Sequence, residues 1–103
     1  MIKYTLYIGC NDKDKKVQVI SDDVIDAIIV KTCTAAGLDG FTLSHGRGYY
    51  THDDGSVVFE RTCILDLLFV NDKQVQKIAN QLKIDLNQAS IAVQKQKIDG
   101  FLI

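Results

Sequence analysis

The chain has 103 residues, of which 47% are hydrophobic, 24% charged and 8% aromatic, and it contains no proline. This size and composition predict one compact domain over residues 1–103, and they exclude a repeat array or a disordered tail. Twelve basic and thirteen acidic residues give a net charge of −1, which argues against duplex nucleic acid as a ligand because such ligands select a strongly basic face.

The first predicted elements are a strand and a helix. Residues 3–9 alternate apolar and polar side chains with the period of two that is typical of a half-buried strand, which ends at Gly9. A charged turn and a short extended run at 17–20 follow, and Ser21 suits the N-cap of a helix. Gly37 is its predicted C-cap. One continuous stripe of that helix is predicted to be buried, with the members Ile25, Ile28, Ile29, Thr32, Cys33 and Ala36.

The middle of the chain predicts a long hairpin. A glycine-punctuated β-rich segment at 41–52 and an apolar run at 57–70 indicate two strands, and Asp54-Gly55 between them is a strong signal for a two-residue turn. The second strand would have about 14 residues, more than twice the usual length of about 5 to 6. Either a bulge therefore breaks it, or the hairpin at 45–60 projects beyond the domain body.

The last part of the chain predicts a second helix and a final strand. Asn71 with Gln74 three residues later resembles a capping box, and apolar residues at helical spacing continue to about residue 84. A strand at 90–95 follows. The order β-α-β-β-α-β predicts an α+β, ferredoxin-like sandwich, with a four-stranded antiparallel sheet, two helices on one face and a long hairpin between the second and third strands.

The sheet face opposite the helices would be uncovered in a monomer. Candidates for that face are Thr5, Tyr7, Ile64 or Cys63, and Leu68 or Phe69. Because an apolar sheet face is commonly buried by another subunit, we expect a homo-oligomer, either a dimer or a trimer. The apolar residues 101–103 could add to the same contact.

Three cysteines lie along the chain without a CxxC pair, at positions 10, 33 and 63. Their odd number and spacing predict neither a disulfide framework nor a zinc site, and they favour a reducing compartment. No apolar run approaches the length of about 20 residues that crosses a membrane. We therefore expect a cytoplasmic protein with no membrane partner and no cofactor.

The most distinctive segment is the run SHGRGYYTH at 44–52. An arginine can fork onto a phosphate or carboxylate while a tyrosine stacks on a base, and glycines let the backbone approach an anion. The alternative is that the glycines mark a β-bulge and the tyrosines pack a hairpin or a subunit interface. The predicted ligand-binding residues are His45, Gly46, Arg47, Gly48, Tyr49, Tyr50 and Arg61.

No catalytic or metal-binding motif accompanies this segment. His45 and His52 lie seven residues apart, hence on opposite faces of an unbroken strand, and no third ligand stands at a characteristic spacing. GRGYYT is not a dinucleotide fingerprint, and no local motif joins a nucleophile to His45. We therefore expect no metal site and no catalytic residue. Asp66, in an otherwise apolar strand, would need a partner if it pointed inward.

Several segments resemble a family of short uncharacterised proteins of firmicutes and their phages or mobile elements. They are YTLYIGxND at 4–12, GFT at 40–42, LLFVND at 67–72 and LNQxSIAVQ at 86–94. The resemblance covers nearly the whole chain and implies a small accessory protein that acts against a host or phage defence system. In overall architecture the chain also looks like trimeric proteins of the PII and CutA type, on grounds of fold only.

Together these patterns favour a non-enzymatic homo-oligomer that binds or sequesters a small anionic ligand at its subunit interfaces. A nucleotide or a cyclic-nucleotide signal would suit the arginine and tyrosines. The alternative is a protein–protein inhibitor or adaptor whose 45–60 hairpin docks into a host or phage protein through Tyr49 and Tyr50.

Overall fold

The computed structural model describes residues 1–103 and contains six elements in the predicted order. They are β1 (Ile2–Gly9), α1 (Asp22–Ala35), β2 (Thr42–Thr51), β3 (Val57–Leu67), α2 (Asp72–Asp85) and β4 (Ala92–Lys97). All neighbouring strands are antiparallel and their order across the sheet is β2-β3-β1-β4. The predicted ferredoxin-like α+β fold is therefore confirmed. Neither helix is long and apolar enough to cross a membrane.

The hydrophobic core lies between the two helices and one face of the sheet. Its largest fully buried side chains come from the central strands β1 and β3 and from both helices: Leu6, Ile8, Ile25, Ile29, Leu65, Leu67, Ile78 and Leu82. The predicted stripe of α1 is buried at Ile25, Ile29 and Cys33, whereas Thr32 and Ala36 are only partly buried. The apolar residues that alternate along the strands and those at helical spacing therefore pack together in one core.

The helix ends follow their sequence signals to different degrees. The Asn71 side chain accepts a hydrogen bond from the backbone N–H of Gln74 at 2.8 Å, and the Gln74 side chain accepts one from the N–H of Asn71 at 3.1 Å. The predicted capping box is therefore confirmed. Ser21 occupies the N-cap of α1 but makes no side-chain capping bond. At the other end of α1, Gly37 has φ +83°, the left-handed conformation common just beyond a helix C-terminus.

The hairpin of β2 and β3 projects and contains no bulge. Pairing runs without interruption from Thr42 with Asp66 to Thr51 with Val57, and the molecule measures 47 × 25 × 22 Å. The predicted two-residue turn is wrong, because the backbone of His52 pairs with Ser56 and leaves three residues in the loop. Gly55, the last of the three, has φ +87°, as three-residue hairpin loops require.

Three predicted boundaries differ from the structure. The run at 17–20 is not a strand. β3 ends at Leu67 rather than at residue 70, because Phe69 adopts φ +59° and turns the chain towards α2. β4 begins and ends two residues later than predicted.

The sheet face opposite the helices, called here the open face, is mixed rather than apolar. Tyr7 of β1 lies between its cross-strand partners Ile64 and Ala92 and forms the apolar part. Of the two alternatives Ile64 and Cys63, Ile64 lies on this face, whereas Cys63 is fully buried on the helix side. Neither Leu68 nor Phe69 lies on the face, because both follow the end of β3.

Asp66 lies on the open face and has the partners that a carboxylate in an apolar strand requires. It accepts a hydrogen bond from the Thr5 hydroxyl at 2.7 Å, and the Lys3 ammonium lies 3.6 Å away. Asp66 therefore belongs to a structural cluster at the centre of the sheet, and it does not point into the core.

Candidate functional site

The predicted ligand-binding residues of the hairpin, called here the ligand strip, are divided between the two faces of the sheet. Because β2 is unbroken, successive side chains alternate between faces. Those at 45, 47 and 49 lie on the helix side together with Arg61, the cross-strand partner of Arg47, while those at 46, 48 and 50 lie on the open face. The strip is thus two separate groups within one copy of the chain, and its role in ligand binding stays a prediction.

The outer group on the helix side holds Arg47 against aromatic rings. Arg47 Nε donates to the Tyr49 hydroxyl at 3.0 Å, and the guanidinium carbon lies 4.7 Å from the centre of the Phe59 ring. The Tyr49 and Phe59 rings are 5.7 Å apart. This cation–π arrangement orients Arg47 along the hairpin and leaves both rings about half exposed.

Nearer the domain body, the same side of the hairpin carries an ionic cluster over α1. Arg61 Nε lies 3.4 Å from Asp22, and its Nη2 lies 3.7 Å from Asp26. His45 Nε2 lies 2.9 Å from the other carboxylate oxygen of Asp26. Two of the predicted ligand residues, His45 and Arg61, therefore already have acidic partners from α1.

Two thiols lie beneath this cluster. Cys10 Sγ is 3.7 Å from Cys63 Sγ, and Arg61 Nη1 is 3.8 Å from the first and 3.6 Å from the second. A hydrogen bond from the Cys63 thiol and the nearby Arg61 charge lower the pKa of Cys10 to about 7. The same bond and burial raise the pKa of Cys63, so Cys10 is the thiol of the pair that loses its proton more readily.

Alkylation should detect the Cys10 thiolate. In the presence of a chelator, the rate of iodoacetamide modification of Cys10 is expected to be slow, because only 5% of the residue is exposed. The rate should nevertheless rise with a midpoint near pH 7, because the pKa of Cys10 is about 7. Arg61→Gln should move the midpoint upward. Burial raises the pKa of Cys33 to about 11, so that thiol serves as the unreactive internal control. Mass spectrometry of the modified peptides measures both, and equal pH profiles would contradict the assignment.

On the open face, a groove of about 290 Å³ lies beside the outer half of the hairpin. Tyr50, His52 and Glu60 form its hairpin side, the turn after β1 forms another side, and residues 88–90 before β4 complete it. The Tyr50 and His52 rings meet edge to face, with centroids 5.2 Å apart. The groove therefore combines an aromatic surface, a carboxylate and the lysines of the turn.

Glu60 is held at this groove by one backbone N–H, and the absence of a side chain at Gly9 leaves room for its carboxylate. Its Oε2 accepts a hydrogen bond from the backbone N–H of Asn11 at 3.0 Å. A Cβ at position 9 would lie 2.6 Å from Glu60 Cδ, far inside contact distance. Only glycine at position 9 therefore leaves room for this position of the carboxylate.

The turn after β1 is ordered by Asp12. Its carboxylate accepts bonds from the backbone N–H groups of Asp14 and Lys15 and from the Asn87 amide, which together lower its pKa. With Asp12 occupied in this way, Lys13 and Lys16 supply the positive charge at this side of the groove. On the third side the Gln88 amide donates to the Asn11 carbonyl at 2.7 Å, which joins the two loops.

A larger cavity of about 540 Å³ lies between residues 37–42 and the end of β3. Its charged side chains, Asp39 and Asp66, are both acidic, and Asp66 already has Thr5 and Lys3 as partners. The hairpin groove thus offers more varied chemistry for a ligand. The sequence analysis named Tyr50, which lines this groove, but it did not name Glu60. The period of two does place the Glu60 side chain on the sheet face that Arg61 does not occupy.

Comparison with solved structures identifies the same fold in several other proteins. A phage SAM lyase in complex with S-methyl-5'-thioadenosine aligns with TM-score 0.68 and 24% identity, over 93% of this chain and 80% of the lyase chain. CutA1 from Pyrococcus horikoshii aligns with TM-score 0.55 and 13% identity, over 99% of this chain and 87% of that one. The GlnK–ATP complex of B. subtilis gives 0.53 and 12%, over 93% and 84%.

These alignments correct one expectation and support another. The expectation of a non-enzymatic protein is contradicted, because the phage SAM lyase that shares this fold is an enzyme. The resemblance to PII and CutA proteins in architecture is confirmed. No curated protein sequence matches the chain. The family model described as a protein of unknown function, DUF3574, matches residues 3–100, and the chain therefore belongs to that family.

Proposed function

We propose that the protein is a homo-oligomeric enzyme that binds S-adenosylmethionine in the hairpin groove and releases S-methyl-5'-thioadenosine. The observation that carries the proposal is the Glu60 carboxylate, which a backbone N–H and Gly9 hold at a groove that also contains an aromatic ring and lysines. The fold shared with a phage SAM lyase supports it.

Three parts of the substrate have a matching group in the groove. The sulfonium is a cation, and Glu60 provides an anion to attract it. The Tyr50 ring, 40% exposed, offers a face on which adenine can stack. Lys13 and Lys16 can bind the carboxylate of the amino-acid portion. A ligand that carries both charges therefore fits this lining better than a simple anion does.

The reaction requires the break of one carbon–sulfur bond. The sulfur takes the electron pair of that bond and becomes the neutral thioether of S-methyl-5'-thioadenosine. The carboxylate of the four-carbon fragment closes on the carbon that the sulfur leaves, which forms a lactone without removal of a proton. The groove then acts by holding the substrate in the folded conformation in which this oxygen and carbon meet.

A second copy of the chain would complete the site. The groove is open to solvent and has a volume of about 290 Å³. This volume is just below the range of about 300 to 1,000 Å³ that is typical of ligand pockets. We place it at a subunit interface, with the apolar patch of Tyr7, Ile64 and Ala92 inside the oligomer. In the expected anti-defence role, the protein would then consume a methyl donor by turnover instead of sequestering a ligand.

Incubation of the purified protein with S-adenosylmethionine tests this proposal. Liquid chromatography and mass spectrometry should show S-methyl-5'-thioadenosine and a four-carbon lactone in equal amounts, and native mass spectrometry should show an oligomer. Glu60→Gln should weaken binding of the cationic substrate by roughly 10- to 100-fold while binding of the uncharged product changes little.

Two controls separate this proposal from its rivals. Gln76→Ala, on the exposed side of α2 and outside the groove, should leave turnover unchanged. Absence of both product formation and ligand binding would overturn the proposal. In that case capture of a protein partner, lost in Tyr49→Ala, would support the hairpin-docking alternative instead.

A further inference from the structure

Three side chains from three elements meet on the helix side of the sheet, away from the groove. Asp26 comes from α1, His45 from β2 and Cys63 from β3. One carboxylate oxygen, one imidazole nitrogen and one thiol sulfur lie within 4.8 Å of one another. Side chains 18 or more residues apart in sequence thus provide three of the donor types that bind zinc.

The distances between the donor atoms are close to those around a tetrahedral ion, and all three are within 4.8 Å. With usual zinc bond lengths, donor atoms around one ion lie about 3.4 to 3.6 Å apart. Here His45 Nε2 is 2.9 Å and Cys63 Sγ 3.8 Å from Asp26 Oδ1. The present hydrogen bond between His45 and Asp26 would open by about half an ångström to admit the ion, a change within the reach of side-chain rotation.

The surroundings balance the charge and orient the carboxylate. A zinc ion with one thiolate, one carboxylate and a neutral imidazole is formally neutral. Arg61 binds Oδ2 of Asp26 at 3.7 Å and so leaves Oδ1 directed at the other two donors, as outer partners of metal ligands commonly do. Asp22, 3.4 Å from Arg61, compensates the guanidinium charge when Cys10 is protonated. Binding of the ion releases the proton of the Cys63 thiol.

The site also has an entry path. The side chains of His45 and Asp26 are 37% and 31% exposed, whereas Cys63 is fully buried at the base. An ion can therefore enter from solvent between the first two and reach the thiol. Three protein ligands leave the fourth position on the solvent side for water.

We propose that Asp26, His45 and Cys63 form a binding site for Zn²⁺. The combination of thiolate, imidazole and carboxylate favours zinc over the hard cations Mg²⁺ and Ca²⁺, which prefer oxygen ligands. The site replaces the sequence-based expectation of no metal, which rested on the absence of a local ligand spacing. It shares no residue with the hairpin groove, so its existence does not depend on the proposed lyase activity.

Titration of the chelator-treated full-length protein with Co²⁺ and Zn²⁺ tests the site. We expect one Co²⁺ per chain with a thiolate-to-cobalt charge-transfer band in the near ultraviolet, and displacement of that ion by Zn²⁺. His45→Ala should weaken binding by at least about 100-fold. This side chain is partly exposed, so the variant should fold, which circular dichroism can verify.

Matched variants identify the ligands. His52→Ala removes the other histidine, on a different part of the hairpin, and should leave the cobalt spectrum and affinity unchanged. Cys63→Ser should abolish the charge-transfer band, whereas Cys10→Ala should retain it. Absence of that band in the natural chain, an equal loss in both histidine variants, or loss of the band in Cys10→Ala would each overturn the assignment.

Discussion

Replacement of Gly9 with alanine is expected to weaken S-adenosylmethionine binding by roughly 10- to 100-fold while the domain stays folded. The new Cβ would lie 2.6 Å from Glu60 Cδ, so the carboxylate must move off the Asn11 N–H and away from the groove. Because these atoms are the end of a flexible side chain, they can move without displacing the backbone. Isothermal titration calorimetry of the variant measures the effect.

The loss should depend on the charge of the ligand. S-adenosylmethionine carries the sulfonium cation that Glu60 attracts, whereas S-methyl-5'-thioadenosine has no charge at sulfur. The variant should therefore bind the product almost as the natural protein does. Equal weakening of both ligands would mean that the added methyl group closes the groove, and it would contradict the role given to Glu60.

A second glycine provides the control for this substitution. A Cβ at Gly40 would meet nothing within 4 Å, and Gly40 lies at the other end of the molecule from the groove lining. Gly40→Ala should therefore leave ligand binding unchanged. Thermal unfolding of both variants should show that Gly9→Ala lowers the free energy of unfolding by no more than about 1 kcal/mol, the contribution of one hydrogen bond.

The fold was predictable because its signals are local and consistent. The alternation in β1, the spacing of Ile25, Ile29 and Cys33, and the capping box at Asn71 each indicate one element, and together they allow few arrangements. The hairpin loop was misjudged for a physical reason. Asp54-Gly55 suits both a two-residue turn and the last positions of a three-residue loop, and only the pairing of His52 with Ser56 decides between them.

The candidate site was less predictable because it depends on which distant loops meet. Tyr50 was found from its place in a distinctive segment, but nothing near Glu60 in the sequence shows that Gly9 and Asn11 hold its carboxylate. That contact joins residues about 50 positions apart. Only the register of β1 against β3 brings them together.

The proposed zinc ligands show the same limit. The two histidines, His45 and His52, share a segment of the chain but not a face of the sheet. The neighbours of His45 in the sequence therefore do not show that it has other metal ligands close by. Its neighbours in space, Asp26 and Cys63, lie 19 and 18 positions away in opposite directions along the chain. A regular ligand spacing arises when one loop or helix carries several ligands, and here each element carries one.

Replacement of Ile29 with alanine is expected to lower the free energy of unfolding by about 2 to 5 kcal/mol. Ile29 is fully buried in the middle of α1, where the helix packs on the sheet, so truncation removes apolar contacts and leaves a cavity. The melting temperature should fall by roughly 10 to 25 °C for a domain of this size. Urea unfolding of both proteins at one fixed concentration measures the change, because the apparent stability of an oligomer depends on protein concentration.

The adjacent residue on α1 supplies the matched control. Val30 is 44% exposed, and Val30→Ala should change stability by no more than about 0.5 kcal/mol. If Val30→Ala were as destabilising as Ile29→Ala, the outer side of α1 would have to be covered by another subunit. The difference between the two variants thus tests whether the helices face solvent in the proposed oligomer, in which we place the open face of the sheet, with the groove, at the contact between subunits.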